Sequence, residues 1–146
     1  MSASDTFESD LLKLVFQATA IANIADNAAT SPLTNLYIAL HTADPGETGT
    51  QTTSEATYTN YARVAVARTS GGFTLSGTSP TQVANAAIVA FPACGATGNT
   101  VTYFSIGVAS SGATKILVSG ALSSSLIVNS GITPQFAINA LVATCD

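Results

Sequence analysis

From Leu33 onward the chain never sustains one apolar pattern for long. Short runs rich in Val, Ile, Thr, Tyr and Phe are cut repeatedly by Gly, Ser, Asn and Pro, and this punctuation most constrains the fold. The clearest breaks are Ser70-Gly71-Gly72, Gly77-Thr78-Ser79-Pro80, Gly95-Ala96-Thr97-Gly98-Asn99, Ser110-Ser111-Gly112 and Asn129-Ser130-Gly131. Intervals of this size suit strands and are too short for a series of ordinary helices. The spacing predicts strands near 34–41, 57–69, 72–76, 86–91, 100–109, 115–122, 125–129 and 134–144. About eight short strands make a mainly-β domain, a jelly-roll-like sandwich or a barrel. No repeat of fixed period is present, which weighs against a triple-stranded shaft or a β-helix.

The N-terminus follows a different period. Phe7, Leu11, Leu14, Val15, Ala18, Ala22 and Ala25 recur at three- and four-residue spacing, the stripe of an amphipathic helix over 5–27. Asp5 is placed to cap it, Glu8 to close a capping box, and the early acids suit the positive end of the helix dipole. Ser31-Pro32 ends the pattern. The expected organisation is therefore an N-terminal helix arm, 1–32, and a β domain, 33–146. The stripe needs a partner, either the domain's own sheet or a neighbouring subunit.

At 146 residues the chain is long enough for one domain with a real core. Charged residues are only 8% of it, against roughly 25% in soluble domains. Its hydrophobic share of 47% is ordinary, so Ser, Thr and Asn supply the missing polarity. A surface of neutral hydroxyls and small apolar groups fits a protein packed against others. The net charge of −4, with Lys13, Arg63, Arg68 and Lys115 as the only bases, argues against nucleic acid as a partner. All acids but Asp146 precede residue 56, and three of the four bases follow it, a split that lets the front of one subunit meet the back of another. No apolar run is long enough to cross a membrane, and the opening residues do not read as a signal peptide. Cys94 and Cys145 have neither a metal nor a redox spacing, and a protein made in a reducing cytoplasm keeps them as thiols more readily than as a bridge.

The longest interruption, 42–57, joins Leu36-Tyr37-Ile38-Ala39-Leu40-His41 to Tyr61-Ala62-Arg63-Val64 and starts with the turn sequence Asp44-Pro45-Gly46. A loop of that length is usually functional or mobile. His41, the only histidine, would need an orienting carboxylate such as Asp44 and a nucleophile to act as a base, and a local bond that stiffens the loop is the simpler expectation. Asp44, Glu47 and Glu55 match no calcium loop and read as a solvated edge. Nucleotide-binding glycine motifs are absent, so no cofactor and no catalytic residue is expected. The expected contact elements are the helix, through Phe7, Leu11 and Val15, and the loop with its flanks, through His41, Asp44, Glu47, Glu55, Arg63 and Arg68. Arg63 and Arg68 are candidates for salt bridges across a subunit boundary, and deleting 47–55 is expected to weaken association without unfolding the domain.

The segment Leu36-Tyr37-Ile38-Ala39-Leu40-His41-Thr42-Ala43-Asp44-Pro45-Gly46-Glu47-Thr48-Gly49 also resembles a recurring stretch in small virion proteins of tailed bacteriophages. Ser54-Glu55-Ala56-Thr57-Tyr58, Tyr61-Ala62-Arg63-Val64, Phe104-Ser105-Ile106-Gly107, Ser110-Ser111-Gly112 and Ser130-Gly131-Ile132-Thr133-Pro134-Gln135-Phe136 extend the resemblance. Where that family commonly carries Trp after the second strand, this chain has Phe73. The resemblance implies a viral structural protein of the virion. The preferred expectation is a trimeric cement or decoration protein on the capsid surface that binds the major capsid protein and stabilises the capsid lattice. The alternative is a tail or tail-fibre component, including a receptor-binding one.

Overall fold

The computed structural model describes residues 5–21, 33–77 and 81–145. Helix α1 (Asp5–Phe16) is followed by β1 (Asn35–His41), β2 (Val64–Ala67), β3 (Phe73–Ser76), β4 (Thr81–Asn85), β5 (Val89–Ala90), β6 (Asn99–Gly107), β7 (Ile116–Val128), β8 (Gln135–Phe136) and β9 (Val142–Cys145). The molecule is mainly β with one N-terminal helix, as its punctuation predicts, and the described strands form antiparallel sheets without closing a barrel. The sheets have the orders β2-β1-β6-β7, β3-β4-β9 and β5-β8.

Several boundaries differ from expectation, each for a local reason. Only Val64–Ala67 of the span 57–69 is a strand, because Tyr61 N–H turns back onto the Tyr58 carbonyl and Asn60 takes φ 76°. Of the strand expected over 86–91 only the short β5 forms, and the longer β4 lies just before it, hidden by its polar Thr81, Gln82 and Asn85. β7 is one element across Ser123-Ser124-Ser125, but its pairing with β6 breaks between Ala121 and Leu126, where the punctuation separates two strands. The span 134–144 divides into β8 and β9, with Asn139 at φ 62° between them.

The chain groups into two units, one of Met1–Asn35, Val66–Val89 and Phe136–Asp146, the other of Leu36–Ala65 and Ala90–Gln135. In the first, α1 packs on its own sheet, against β3 and β4. Glu8, Leu12 and Phe16 form the buried stripe at four-residue spacing, and the Phe16 ring meets Phe73 edge-on at 5.0 Å. The helix stops earlier than the 5–27 stripe predicts. Gln17 and Thr19 N–H groups both close on the Lys13 carbonyl, and Ala18 takes the left-handed φ of 53°, which ends a helix. Residues 22–27 lie outside the described residues. Buried Asn85 ties β4 to the later chain: its amide donates to the Ala87 and Ala137 carbonyls, and its oxygen accepts from Leu141 N–H.

In the second unit, β1 pairs antiparallel with β6 from Tyr37↔Gly107 to His41↔Tyr103. Leu36, Ile38, Leu40, Val101, Ile106 and Val128 belong to its buried core. β7 forms the outer edge of the four-stranded sheet. Its register on β6 is interrupted: Tyr103 pairs with Ala121 and Val101 with Leu126, which leaves residues 122–125 opposite Thr102 alone.

Candidate functional site

Loop 42–57, expected to be a contact element, is fastened to its own unit at several points. It starts with a rigid corner, where the Asp44 carboxylate accepts from Gly46 N–H at 2.8 Å and Gly46 takes φ 69°, a conformation glycine adopts without strain. Gln51 then turns inward and is fully buried. Its amide nitrogen donates to the Tyr37 carbonyl at 2.9 Å, its side-chain oxygen accepts from Thr114 Oγ1 at 3.0 Å, and its backbone N–H donates to the Thr114 carbonyl. Gly107 leaves the space that Gln51 fills, since a Cβ at 107 would overlap the Gln51 amide. Isolated bridges, Thr50 with Lys115 and Glu55 with His41, tack down both ends.

Arg63, just before β2, gathers these pieces. Its Nε and Nη2 form a fork on Glu55, at 2.6 Å to Oε1 and 2.8 Å to Oε2. Nη2 also donates to the Gly112 carbonyl, and Nη1 reaches the Ala109 carbonyl, Thr114 Oγ1 and Gln51 Oε1. A guanidinium has only five N–H donors, so this one is saturated. Tyr61 seals the other side of Glu55: its hydroxyl donates to Oε1 at 3.0 Å while accepting from Leu40 N–H at 3.0 Å. Burial, with the neighbouring Glu55 charge, holds the Tyr61 phenol well above its ordinary range, so it remains a donor. A shallow hollow of about 460 Å³ opens over this floor, lined also by Thr52, Ser110 and Ser111.

His41 is fully buried at the end of β1. Nδ1 lies 2.8 Å from the Thr53 carbonyl, which can only accept, and Nε2 lies 2.8 Å from Ser105 Oγ. Nδ1 therefore carries a proton, and in the neutral ring Ser105 donates to Nε2. Burial is the main cause holding its pKa below the ordinary 6.5; the Thr53 bond and Glu55 oppose that shift, and Arg63 adds to it. A serine hydroxyl on a neutral imidazole is the contact from which a nucleophile is activated. Here both residues are fully buried, so no substrate reaches the pair in this arrangement.

The expected contact residues thus separate by surroundings. His41, Glu55 and Arg63 are engaged with one another's loop inside one chain, and the Arg63 salt bridge expected across a subunit boundary is made to Glu55 of the same chain. Arg68 likewise turns inward, donating to the Leu14, Val15 and Leu33 carbonyls at 2.7, 2.7 and 2.8 Å, where it caps the negative end of α1. Asp44 and Glu47 are exposed. Leu11 is 36% exposed and Val15 half-buried, one residue off the stripe that packs on the sheet. Phe7 lies in α1, but its side chain falls outside the described residues. Cys94 is a buried free thiol that donates to the Thr97 carbonyl.

Among the described residues, no group of His, Cys, Asp and Glu is arranged to hold a metal ion, and no helix is long and apolar enough to cross a membrane. Gln51, Thr53, Tyr61, Ser105 and Thr114 belong to the node but not to the expected contact residues. Gln51 did leave a signal, as the one long amide in a run of Thr and Gly, and Gly107 left another by interrupting an apolar strand.

Among the described residues of this mainly-β chain, the best-developed polar constellation is the clamp around Arg63. The chain belongs to the podophage GP4 fiber I protein gp80 family, which it matches over residues 2–144. No curated protein matches it. Several of the segments that resemble tailed-phage virion proteins contribute to the Arg63 node, through His41, Glu55, Tyr61, Arg63, Ser105, Gly107 and Gly112, whereas the segment 130–136 does not.

Proposed function

We propose that the chain is a component of the phage fibre, a mainly-β protein that contributes structure to the particle and not turnover. The observation that carries this reading is the fibre-protein family match over nearly the whole chain. The clamp supports it: groups that would serve chemistry elsewhere, an Arg, a Glu, a Tyr and a Ser–His contact, hold loop 42–57 in place. The charge-poor surface suits a subunit surrounded by others in an assembly.

Fibre and capsid roles separate by position and copy number. Gold-labelled antibody against the native protein, viewed on intact virions by electron microscopy, is expected to mark the fibres. Quantitative mass spectrometry should give copies in proportion to fibres. Label spread over the capsid shell, with copies in proportion to the major capsid protein, would overturn the fibre role in favour of a cement protein.

A further inference from the structure

The hollow above the Arg63 clamp is lined by polar groups whose charges already cancel. Its lining lies entirely in the second unit, and its volume of about 460 Å³ falls at the small end of the roughly 300–1,000 Å³ of small-molecule sites. Glu55 and Arg63 neutralise each other on its floor. The guanidinium gives its five N–H donors to Glu55, Gln51, Thr114 and the Ala109 and Gly112 carbonyls, so none is left for a phosphate or a carboxylate. A cation finds no uncompensated acid either, since Glu55 is the only acid of the lining. A charged ligand would shed water there without meeting a partner of opposite sign.

What the floor does offer is acceptor capacity. The Glu55 carboxylate takes three hydrogen bonds, from Arg63 Nε and Tyr61 at Oε1 and from Arg63 Nη2 at Oε2, of the about four it can accept. The remaining position, on Oε2, belongs to a side chain that keeps 16% exposure. The rim adds hydroxyls able to donate or accept, because Ser110 and Ser111 are exposed and have no partner among the described residues. Their backbone is fixed nonetheless: Arg63 binds the carbonyls on either side of them, at Ala109 and Gly112. Ala56, Ala62 and the Tyr61 ring supply the apolar part of the lining. That ring is held in turn, edge-on to Tyr58 at 5.2 Å and stacked on Phe91 at 6.3 Å.

An uncharged ligand whose hydroxyls both donate and accept, and which also carries a C–H face, matches each of these groups. We propose that the hollow is a binding site for a neutral saccharide, about one or two sugar rings long. One sugar hydroxyl donates to Glu55 Oε2, its neighbours pair with Ser110 and Ser111, and C–H groups lie against Tyr61. The rim is in place before the ligand arrives, so binding costs little ordering of the protein. Such a ligand is taken up whether the chain sits in a fibre or in the capsid shell. Binding and location therefore stand or fail separately.

Saturation-transfer NMR on the purified full-length protein tests this, with glucose, galactose, mannose, rhamnose and N-acetylglucosamine as neutral probes and glucuronate and glucosamine as charged ones. Transfer to at least one neutral sugar is expected, unchanged between low and high salt and stronger than to either charged sugar. Ala62→Trp, which fills the hollow from an exposed position, is expected to abolish transfer while the circular dichroism melt stays that of the wild type. The double variant Ser110→Ala, Ser111→Ala removes two hydroxyls without partners in the chain and is expected to raise the Kd roughly tenfold. No transfer to any neutral sugar would overturn the proposal, as would preference for a charged one or transfer that survives Ala62→Trp. Should the tryptophan variant fail to fold, the serine variant decides alone, and an unchanged Kd there would overturn it.

Discussion

The Arg63 side chain is 2% exposed, and its acceptors come from positions 55, 51, 109, 112 and 114. Removing one member of a buried charged pair strands the other, at a cost of about 3–5 kcal/mol, a large part of a small domain's stability. Arg63→Ala is accordingly expected to lower the urea midpoint steeply. Arg63→Lys should recover little, because an ammonium cannot fork onto a carboxylate while also reaching four other acceptors. Urea unfolding of both variants checks this, and a lysine variant as stable as wild type would show that charge alone suffices. In the sequence, a lone arginine next to an apolar strand looks like a surface group waiting for a partner. His41, Glu55, Tyr61 and Arg63 are each visible there, but not their meeting, because the contacts span up to 64 positions.

Loop 42–57 departs furthest from expectation. Its Thr-rich centre looks dispensable, and cutting out 47–55 looks harmless to folding. The hydrogen bonds argue for the opposite outcome, because the excised piece contains Gln51, Thr53 and Glu55, which hold Arg63, Thr114 and His41. The deletion is expected to abolish the cooperative thermal transition seen by circular dichroism. Glu47→Ala, at an exposed position, should change stability by less than about 0.5 kcal/mol. Retention of a sharp transition in the deletion variant would refute the clamp. Strands β1, β3 and β6 are legible because apolar, β-branched and aromatic residues dominate them. β4 and the end of α1 are not, since polar strand residues and a left-handed alanine leave no periodic trace.

For the chain as a unit, one histidine makes pH a simple probe. The unfolded chain takes up a proton near 6.5, while burial keeps folded His41 neutral to lower pH. The unfolded state then binds more protons, so the stability that His41 contributes is fully present above 6.5 and is lost as pH falls from there through the lowered folded value. Urea midpoints should decline as pH drops from about 7.5 toward 5, and His41→Gln should flatten that slope; an unchanged slope would assign it to other groups. The overall class is readable from punctuation and composition. The grouping into two units is not, because each gathers stretches far apart in sequence.

The Arg63 clamp has a mechanical consequence. Its bonds bridge 8, 12, 46, 49 and 51 positions of chain and converge on one guanidinium. Tension applied to the strands around it cannot peel these contacts off in sequence; they must yield together. Pulled in a force spectrometer, the second unit should extend in a single abrupt step, behaving as a rivet and not as a zipper.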